Sequence, residues 1–153
     1  MSNEKIIDPE KIHLINIKTI KGNIDAAADI DINSIAGHEF SFELGTGLNV
    51  EDNVIGMQLV VNIQAKDSAD KLLPINGSYT HEIVFIVDNL KDFLEPDESG
   101  NNKYKIDGGL GSTIVSIAYS TIRGIIFTRT QGTSLGSVIL PVINPKKLMG
   151  LEK

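Results

Sequence analysis

Residues 111–149 read GSTIVSIAYSTIRGIIFTRTQGTSLGSVILPVINPKKLM. In the first half of this stretch, apolar residues recur every three or four positions, a spacing that places them on one face of a helix. These residues are Ile114, Ile117, Ala118, Ile122, Ile125 and Ile126. The spacing predicts a helix over 112–130, although its many Ser, Thr and β-branched residues are poor helix formers. Gly132 is a typical residue to follow such a helix, and a short last helix is predicted from Asn144-Pro145 to Leu148.

Upstream of this stretch, four segments have the composition of β-strands. Residues 11–25 are rich in Ile, and residues 38–44, 57–65 and 75–85 alternate apolar with mainly polar side chains, which gives a strand one buried face. Short turn-rich connections between the last three segments favour antiparallel pairing. Because a one-sided sheet needs a cover, we predict an α+β fold: a four-stranded antiparallel sheet covered on one face by a helix and a short C-terminal helix.

Length and composition limit the classes of protein that this chain can belong to. A chain of 153 residues suits one domain, so we expect a flexible N-terminus over 1–10 and a single domain over 11–153. No window reaches the apolar run of about 20 residues that a membrane span needs, so we expect no membrane insertion. The N-terminal residues have mixed charge and no apolar signal, which favours the cytoplasm. A net charge of −6 argues against nucleic acid as a partner.

The residue types needed for catalysis are not grouped in this sequence. There is no Cys, and His13, His38 and His81 lie on three different predicted strands without metal-ligand spacing. A glycine-rich run from Gly108 to Gly111 precedes the helix, but it has no Walker-type Lys and reads best as a loop and cap. Arg123 is flanked by isoleucines, and a solvated side chain, a buried ion pair or an interface role fits it. We therefore predict no catalytic residues, no metal, no cofactor and no enzymatic activity.

Several short motifs resemble the SecB-like export chaperones. The motifs are Ala118-Tyr119-Ser120-Thr121-Ile122-Arg123 in the helix, Thr128-Arg129-Thr130-Gln131-Gly132 at its end, Leu140-Pro141-Val142-Ile143-Asn144-Pro145 with Leu148 in the tail, and Thr80-His81-Glu82-Ile83-Val84-Phe85 in the fourth strand. The resemblance covers about residues 11–149, and its most specific part is the tail. It implies a SecB-like α+β protomer that assembles as a homo-oligomer, a dimer or tetramer, and holds unfolded polypeptide in apolar grooves.

The resemblance also gives an expected binding site. A groove between the helix and the sheet is expected to bind unfolded or partner polypeptides, and we place six residues in it: Phe40, Phe42, Ile117, Ile125, Phe127 and Val142. Participation in protein export is one implied role, and a different client, such as a toxin–antitoxin pair, is another. The alternative is a structural or assembly protein that forms a homo-oligomer without chaperone activity. In that case the same apolar residues form the core or a fixed interface.

Overall fold

Four long strands form the main sheet of the protein. The computed structural model describes residues 4–100 and 103–151. The strands are β1 (Ile12–Ala26), β2 (Gly37–Asn49), β3 (Val54–Lys66) and β4 (Leu72–Val87). They are antiparallel and lie in the order β1-β4-β3-β2, so the first strand pairs with the fourth. Two short strands, β5 (Leu94–Pro96) and β6 (Tyr104–Ile106), form a separate small hairpin.

The alternation of apolar and polar residues explains why β2, β3 and β4 form a sheet with one buried face. Every second residue of β3 and β4 is buried, whereas the residues between them are largely exposed or half-buried. The two hairpin turns contain Asn53 and Asp70, whose φ angles of 58° and 64° lie in the left-handed region. Asn and Asp tolerate this region better than most residues, so both tight turns have suitable side chains.

Strand β1 is an edge strand with two irregularities. Its pairing with β4 shifts between Leu14 and Asn16 and again between Thr19 and Lys21. Each shift leaves one isoleucine outside the register, and these residues, Ile15 and Ile20, are 51% and 45% exposed. Bulges of this kind turn a side chain away from its expected face. The two bulges match the incomplete alternation of apolar and polar residues in the sequence of β1.

Helix α1 (Gly108–Thr130) lies over the buried face of the sheet, as predicted, but it starts four residues earlier than expected. The carboxylate of Asp107 accepts hydrogen bonds from the backbone N–H groups of Gly109 and Leu110 and so caps the first turn. The glycine-rich run is therefore part of the helix. Four residues of the expected stripe are buried, Ile114, Ala118, Ile122 and Ile126, whereas Ile117 is exposed and Ile125 is half-buried.

By length and composition alone, α1 could cross a membrane, and the expectation that no segment is apolar enough is therefore wrong. Its most apolar 18-residue window has a mean hydropathy of 1.4. In this structure the helix packs one face against the sheet and belongs to the core with the inner residues of β3 and β4. The apolar composition of α1 thus allows one face to be buried against the sheet. The only charged residues of the helix are its two arginines, Arg123 and Arg129.

The segment between α1 and the last helix, α2 (Pro145–Leu148), has no regular structure but is firmly anchored. Residues 138–143 pair with no described strand. Leu135, Val138 and Leu140 are nevertheless fully buried. Gly77 of β4 makes room for this segment, because a Cβ there would lie 2.9 Å from a methyl carbon of Leu135.

The ends of the chain bear on the expected domain limits. Of the predicted flexible N-terminus, residues 1–3 lie outside the described residues, and Pro9–Lys11 forms a single 3-10 turn capped by Asp8. Residues 101–102 and 152–153 of the predicted domain also lie outside the described part of the chain. Other single 3-10 turns are formed by Ile32–Ser34 and Leu90–Phe93.

Candidate binding groove

An open apolar groove runs between the edge strand β2 and the tail of the chain. It encloses about 520 Å³. Its floor is formed by the aromatic side chains of Phe40 and Phe42, and its far wall by residues 142–144 and by Lys147 and Leu148 of α2. Val142 is 84% exposed, so the groove presents apolar surface to solvent. Exposed apolar surface of this kind is a common feature of partner-binding sites.

The floor of the groove is a short aromatic row. Phe40 and Phe42 lie on the same face of β2 and stack with their ring centroids 6.2 Å apart. Phe42 also meets the ring of Tyr119 from α1 edge-on at 5.8 Å, and His38 lies 6.3 Å from Phe40. Such pairs contribute about 0.5–1.5 kcal/mol beyond burial, so the row holds the floor in one arrangement. Period-2 spacing in β2 thus produces a continuous apolar surface.

The wall of the groove is tied to α1 by a buried hydroxyl. The Tyr119 hydroxyl donates a hydrogen bond to the carbonyl oxygen of Pro141, directly before Val142. Burial raises the pKa of Tyr119 to about 12, with the nearby Arg123 acting in the opposite direction. The phenol therefore stays protonated and able to donate throughout the physiological range. At the other end of the wall, the side-chain oxygen of Asn144 accepts from the backbone N–H of Lys146 and caps α2.

A second anchor fixes the start of the irregular segment. The Nε2 atom of His38 lies 2.8 Å from the carbonyl oxygen of Leu135. Because a carbonyl oxygen only accepts, the ring nitrogen is the donor in this bond. The hydroxyl of Thr130 accepts from the backbone N–H of Val138 and donates to the carbonyl of Ile126. The path of the segment that forms the wall is thus defined by polar contacts as well as by burial.

Strand β2 offers a free backbone edge beside the groove. Within the described residues it is hydrogen-bonded to β3 on one side, and its other side faces outward. An edge of this kind can pair with an extended chain through main-chain hydrogen bonds, while neighbouring pockets take alternate side chains. The position of the aromatic row on β2 therefore combines two features that suit an extended polypeptide.

The six residues predicted for the site do not lie together. Phe40, Phe42 and Val142 line the groove. Ile117 and Phe127 are each 37% exposed on the side of α1 that faces away from the sheet, and Ile125 is half-buried. The expectation that all six lie between the helix and the sheet is wrong for Ile117 and Phe127, because the sheet contacts the face centred on Ile114, Ala118 and Ile122. It is also wrong for Val142, which lies in the tail and is 84% exposed. Whether any of the six binds a polypeptide stays a prediction.

Several groove residues were not among those six. Ile143, Asn144, Lys147 and Leu148 form the wall, and Tyr119 supports it. Leu148 and Asn144 belong to the tail motif that suggested the fold, so the motif was a usable signal for them. Lys147 carried no such signal, because its place in the groove depends on the direction in which α2 leaves the irregular segment.

A second, smaller pocket adjoins the groove. It encloses about 210 Å³ between α1 and the tail, and Val142 and Ile143 line both pockets. Its helical side consists of Ser116, Tyr119, Ser120 and Arg123. Arg123, for which a solvated or an interface role was open, is therefore half-buried at the border of the groove.

The other candidate groups have structural partners or are isolated. His13 lies 3.0 Å from Asp88 at the surface, and His81 is fully buried with neither ring nitrogen hydrogen-bonded to a described residue. Burial lowers the pKa of His81, and the positive charge of Arg129 lowers it further. Residues 4–100 and 103–151 contain no group of three or more His, Asp or Glu side chains that could hold a metal ion. The amides at the start of α1 already bind the carboxylate of Asp107.

Comparison with solved structures identifies the fold. The chain is similar to a SecB-like chaperone from Mycobacterium tuberculosis, solved in complex with a peptide from an antitoxin, with a TM-score of 0.62 and 12% sequence identity over 88% of this chain and 91% of that one. A protein of unknown function from Streptococcus agalactiae gives a TM-score of 0.43 at 10% identity, over 86% of this chain and 97% of that one. No family model and no curated protein matches the sequence. The chain thus has the SecB-like fold that its motifs predict.

Proposed function

We propose that this protein binds unfolded or partner polypeptides as a SecB-like chaperone, with the groove between β2 and the tail as the binding site. The observation that carries the proposal is the exposed apolar groove with Phe40 and Phe42 on its floor and Val142 on its rim. A polypeptide seated there would cover the exposed side chain of Val142 and could extend the sheet at β2. The likeness of the fold to a chaperone solved with an antitoxin peptide supports the same class of ligand.

The shape of the groove suits an extended segment better than a small molecule. It is open to solvent, and its lining combines five apolar side chains with the polar residues Ser41, Asn144 and Lys147. Small-molecule sites are usually enclosed and bury most of the ligand surface. An extended chain with apolar side chains gains from a long, shallow surface of this type. We also propose a cytoplasmic location, and either a role in protein export or another client such as a toxin–antitoxin pair; each of these needs a test of its own.

We further propose that the protein acts as a homo-oligomer, a dimer or tetramer. Two surfaces outside the groove support this. The edge strand β1 exposes Ile15 and Ile20, and the outer face of α1 exposes Ile117 and Phe127. Apolar residues at a free strand edge and on an unpartnered helix face are typical of surfaces that become covered on assembly. Four exposed apolar residues outside the groove also support the second candidate function, a structural protein that uses them for fixed assembly alone.

The experiment compares suppression of aggregation by the wild type and by two tail variants. Val142→Asp places a carboxylate on the rim of the groove, and Ile139→Asp makes the same change at a residue that is 61% exposed in the same segment but outside the groove. We expect Val142→Asp to weaken binding of a denatured client at least about tenfold, about 1.4 kcal/mol, and Ile139→Asp to leave it unchanged.

Light scattering on the same samples separates the two functions. A chaperone is expected to form an oligomer and to bind the client, whereas a structural protein would form the oligomer and leave the client to aggregate. If Val142→Asp and Ile139→Asp weaken client binding equally, a negative charge anywhere on the exposed tail would be enough to explain the effect. The groove would then not be the binding site.

A further inference from the structure

The charges around the groove differ from the charge of the whole protein. The chain has a formal net charge of −6. The residues that line the groove and its adjoining pocket nevertheless include two cations, Lys147 and Arg123, and no Asp or Glu. Local clusters of one sign attract ligand groups of the opposite sign more strongly than the net charge suggests. The groove is therefore an electropositive, apolar surface on an acidic protein.

Among the described residues, neither cation has a carboxylate partner, so both can meet an anion from a ligand. No ion pair joins Arg123 or Lys147 to a carboxylate in the described part of the chain. The acids closest in sequence to the aromatic floor, Glu39 and Glu43, alternate with Phe40 and Phe42 along β2 and so point to the opposite face of the sheet. Within residues 4–100 and 103–151, no carboxylate thus neutralises either positive charge in the groove.

The pocket around Arg123 has the donors that a carboxylate needs. Ser116, Ser120 and Arg123 follow one another at spacings of four and three residues, which places them on one face of α1. All three line the same pocket beside Val142. A guanidinium group can bind both oxygens of a carboxylate, and serine hydroxyls add further donors. Lys147, on the other side of Val142 and Ile143, adds a single positive charge.

We propose that the groove selects extended polypeptide segments in which apolar side chains lie next to aspartate or glutamate, with the carboxylate bound between Arg123 and the serines or by Lys147. This inference rests on the proposed function and specifies the client chemistry. Apolar side chains of the client contact the aromatic floor, and its acidic side chains reach the cations on either side of the ridge formed by Val142 and Ile143. Basic segments are excluded by repulsion from the same two cations.

The test uses three peptides of one apolar sequence, blocked at both ends, that carry two Glu, two Gln or two Lys at the same positions. Their affinities are measured by fluorescence anisotropy at low and high salt. We expect the Glu peptide to bind about five- to tenfold more tightly than the Gln peptide at low salt, and this preference to shrink at high salt because exposed charge pairs are screened. The Lys peptide should bind most weakly.

Two protein variants assign the preference to the groove. Arg123→Gln and Lys147→Gln should each reduce the preference for Glu over Gln to about twofold or less. Lys146→Gln makes the same change in net charge at the exposed neighbour on α2 that does not line the groove, and it should keep the full preference. The bound carboxylate could also come from the C-terminus of a client instead of from an Asp or Glu side chain. A fourth peptide, with Gln side chains and a free C-terminal carboxylate, tests this and should bind no better than the blocked Gln peptide.

The outcomes are distinguishable. If no peptide binds, the proposed function fails, and the charge preference fails with it. If all three peptides bind equally, or if the Lys peptide binds best, the groove is a binding site but the inferred client chemistry is wrong. Equal effects of Lys146→Gln and Lys147→Gln, or a preference only for the free C-terminus, would also overturn the inference.

Discussion

Removing the hydroxyl of Tyr119 is the sharpest test of how the groove is held in shape. The variant Tyr119→Phe keeps the ring that meets Phe42 edge-on and deletes the hydrogen bond to the carbonyl of Pro141. A neutral hydrogen bond contributes about 0.5–1.5 kcal/mol net. Pro141 is exposed, so water can replace the lost donor, and no buried acceptor is left unpaired. We therefore expect a loss of about 1 kcal/mol in the free energy of unfolding.

That loss translates into a modest change in thermal stability and a larger change in binding. For a domain of about 150 residues, 1 kcal/mol lowers the melting temperature by about 2–4 °C. Because the bond holds the wall at Val142, client affinity should fall by more than stability alone explains. Calorimetry and peptide binding on the same samples measure both quantities.

The matched control is Tyr104→Phe, which removes the hydroxyl of an exposed tyrosine on β6. It should change neither stability nor binding. A Tyr119→Phe protein with unchanged stability would refute the inferred bond. A loss above about 3 kcal/mol would instead indicate that the hydroxyl is part of a larger network, since a single neutral bond does not contribute that much.

Three further predictions concern the scaffold. Lowering the pH from 7.5 to 5 should reduce the free energy of unfolding, because burial lowers the pKa of His81 in the folded protein and the unfolded chain therefore binds this proton more readily. Urea titrations should show a smaller decrease for His81→Leu than for the wild type, and an equal decrease would rule this group out. Leu135→Ala should lower the free energy of unfolding by about 2–5 kcal/mol, because the side chain is fully buried over Gly77. A decrease below about 1 kcal/mol in chemical denaturation would mean that Leu135 does not anchor the segment. Asp107→Ala should lower the free energy of unfolding by about 0.5–2 kcal/mol because it removes the cap of α1, whereas Asp107→Asn should lower it less because Asn can also cap a helix. Equal decreases for the two variants would show that the negative charge of Asp107 matters more than its hydrogen bonds.

Periodicity was sufficient to predict most of the fold. The alternation in β2, β3 and β4 defined three strands with one buried face, and a spacing of three and four residues defined α1. Because these patterns are local, they can be recognised without knowing which elements each segment packs against. The bulges of β1 are different, because they arise from pairing with β4, and the sequence of the strand alone does not reveal where the register shifts.

The candidate site was only half predictable. Phe40 and Phe42 follow from strand alternation, and Val142 from the tail motif. Ile117 was misplaced because it is adjacent in the helical pattern to the buried stripe, and only contact with the sheet decides which side of that stripe is covered. The rest of the wall depends on an irregular segment, whose path is set by the burial of Leu135 and by the bonds of Thr130 and His38. No local pattern encodes those contacts.

The order of the strands in the sheet has a consequence for how the chain folds. The first strand has its described partner in the fourth, with Ile12 opposite Val87 and Ala26 opposite Ile75, so its pairing requires closure of a loop of roughly 50 to 75 residues. Strands β2, β3 and β4 are joined by short turns and can pair as they leave the ribosome. Contacts between distant parts of a chain slow folding. We therefore expect β1, the first of the four strands to be synthesised, to be the last to join the sheet. Ile12, Ile17 and Ile24, which are half-buried in the folded protein, would stay exposed until β4 is complete.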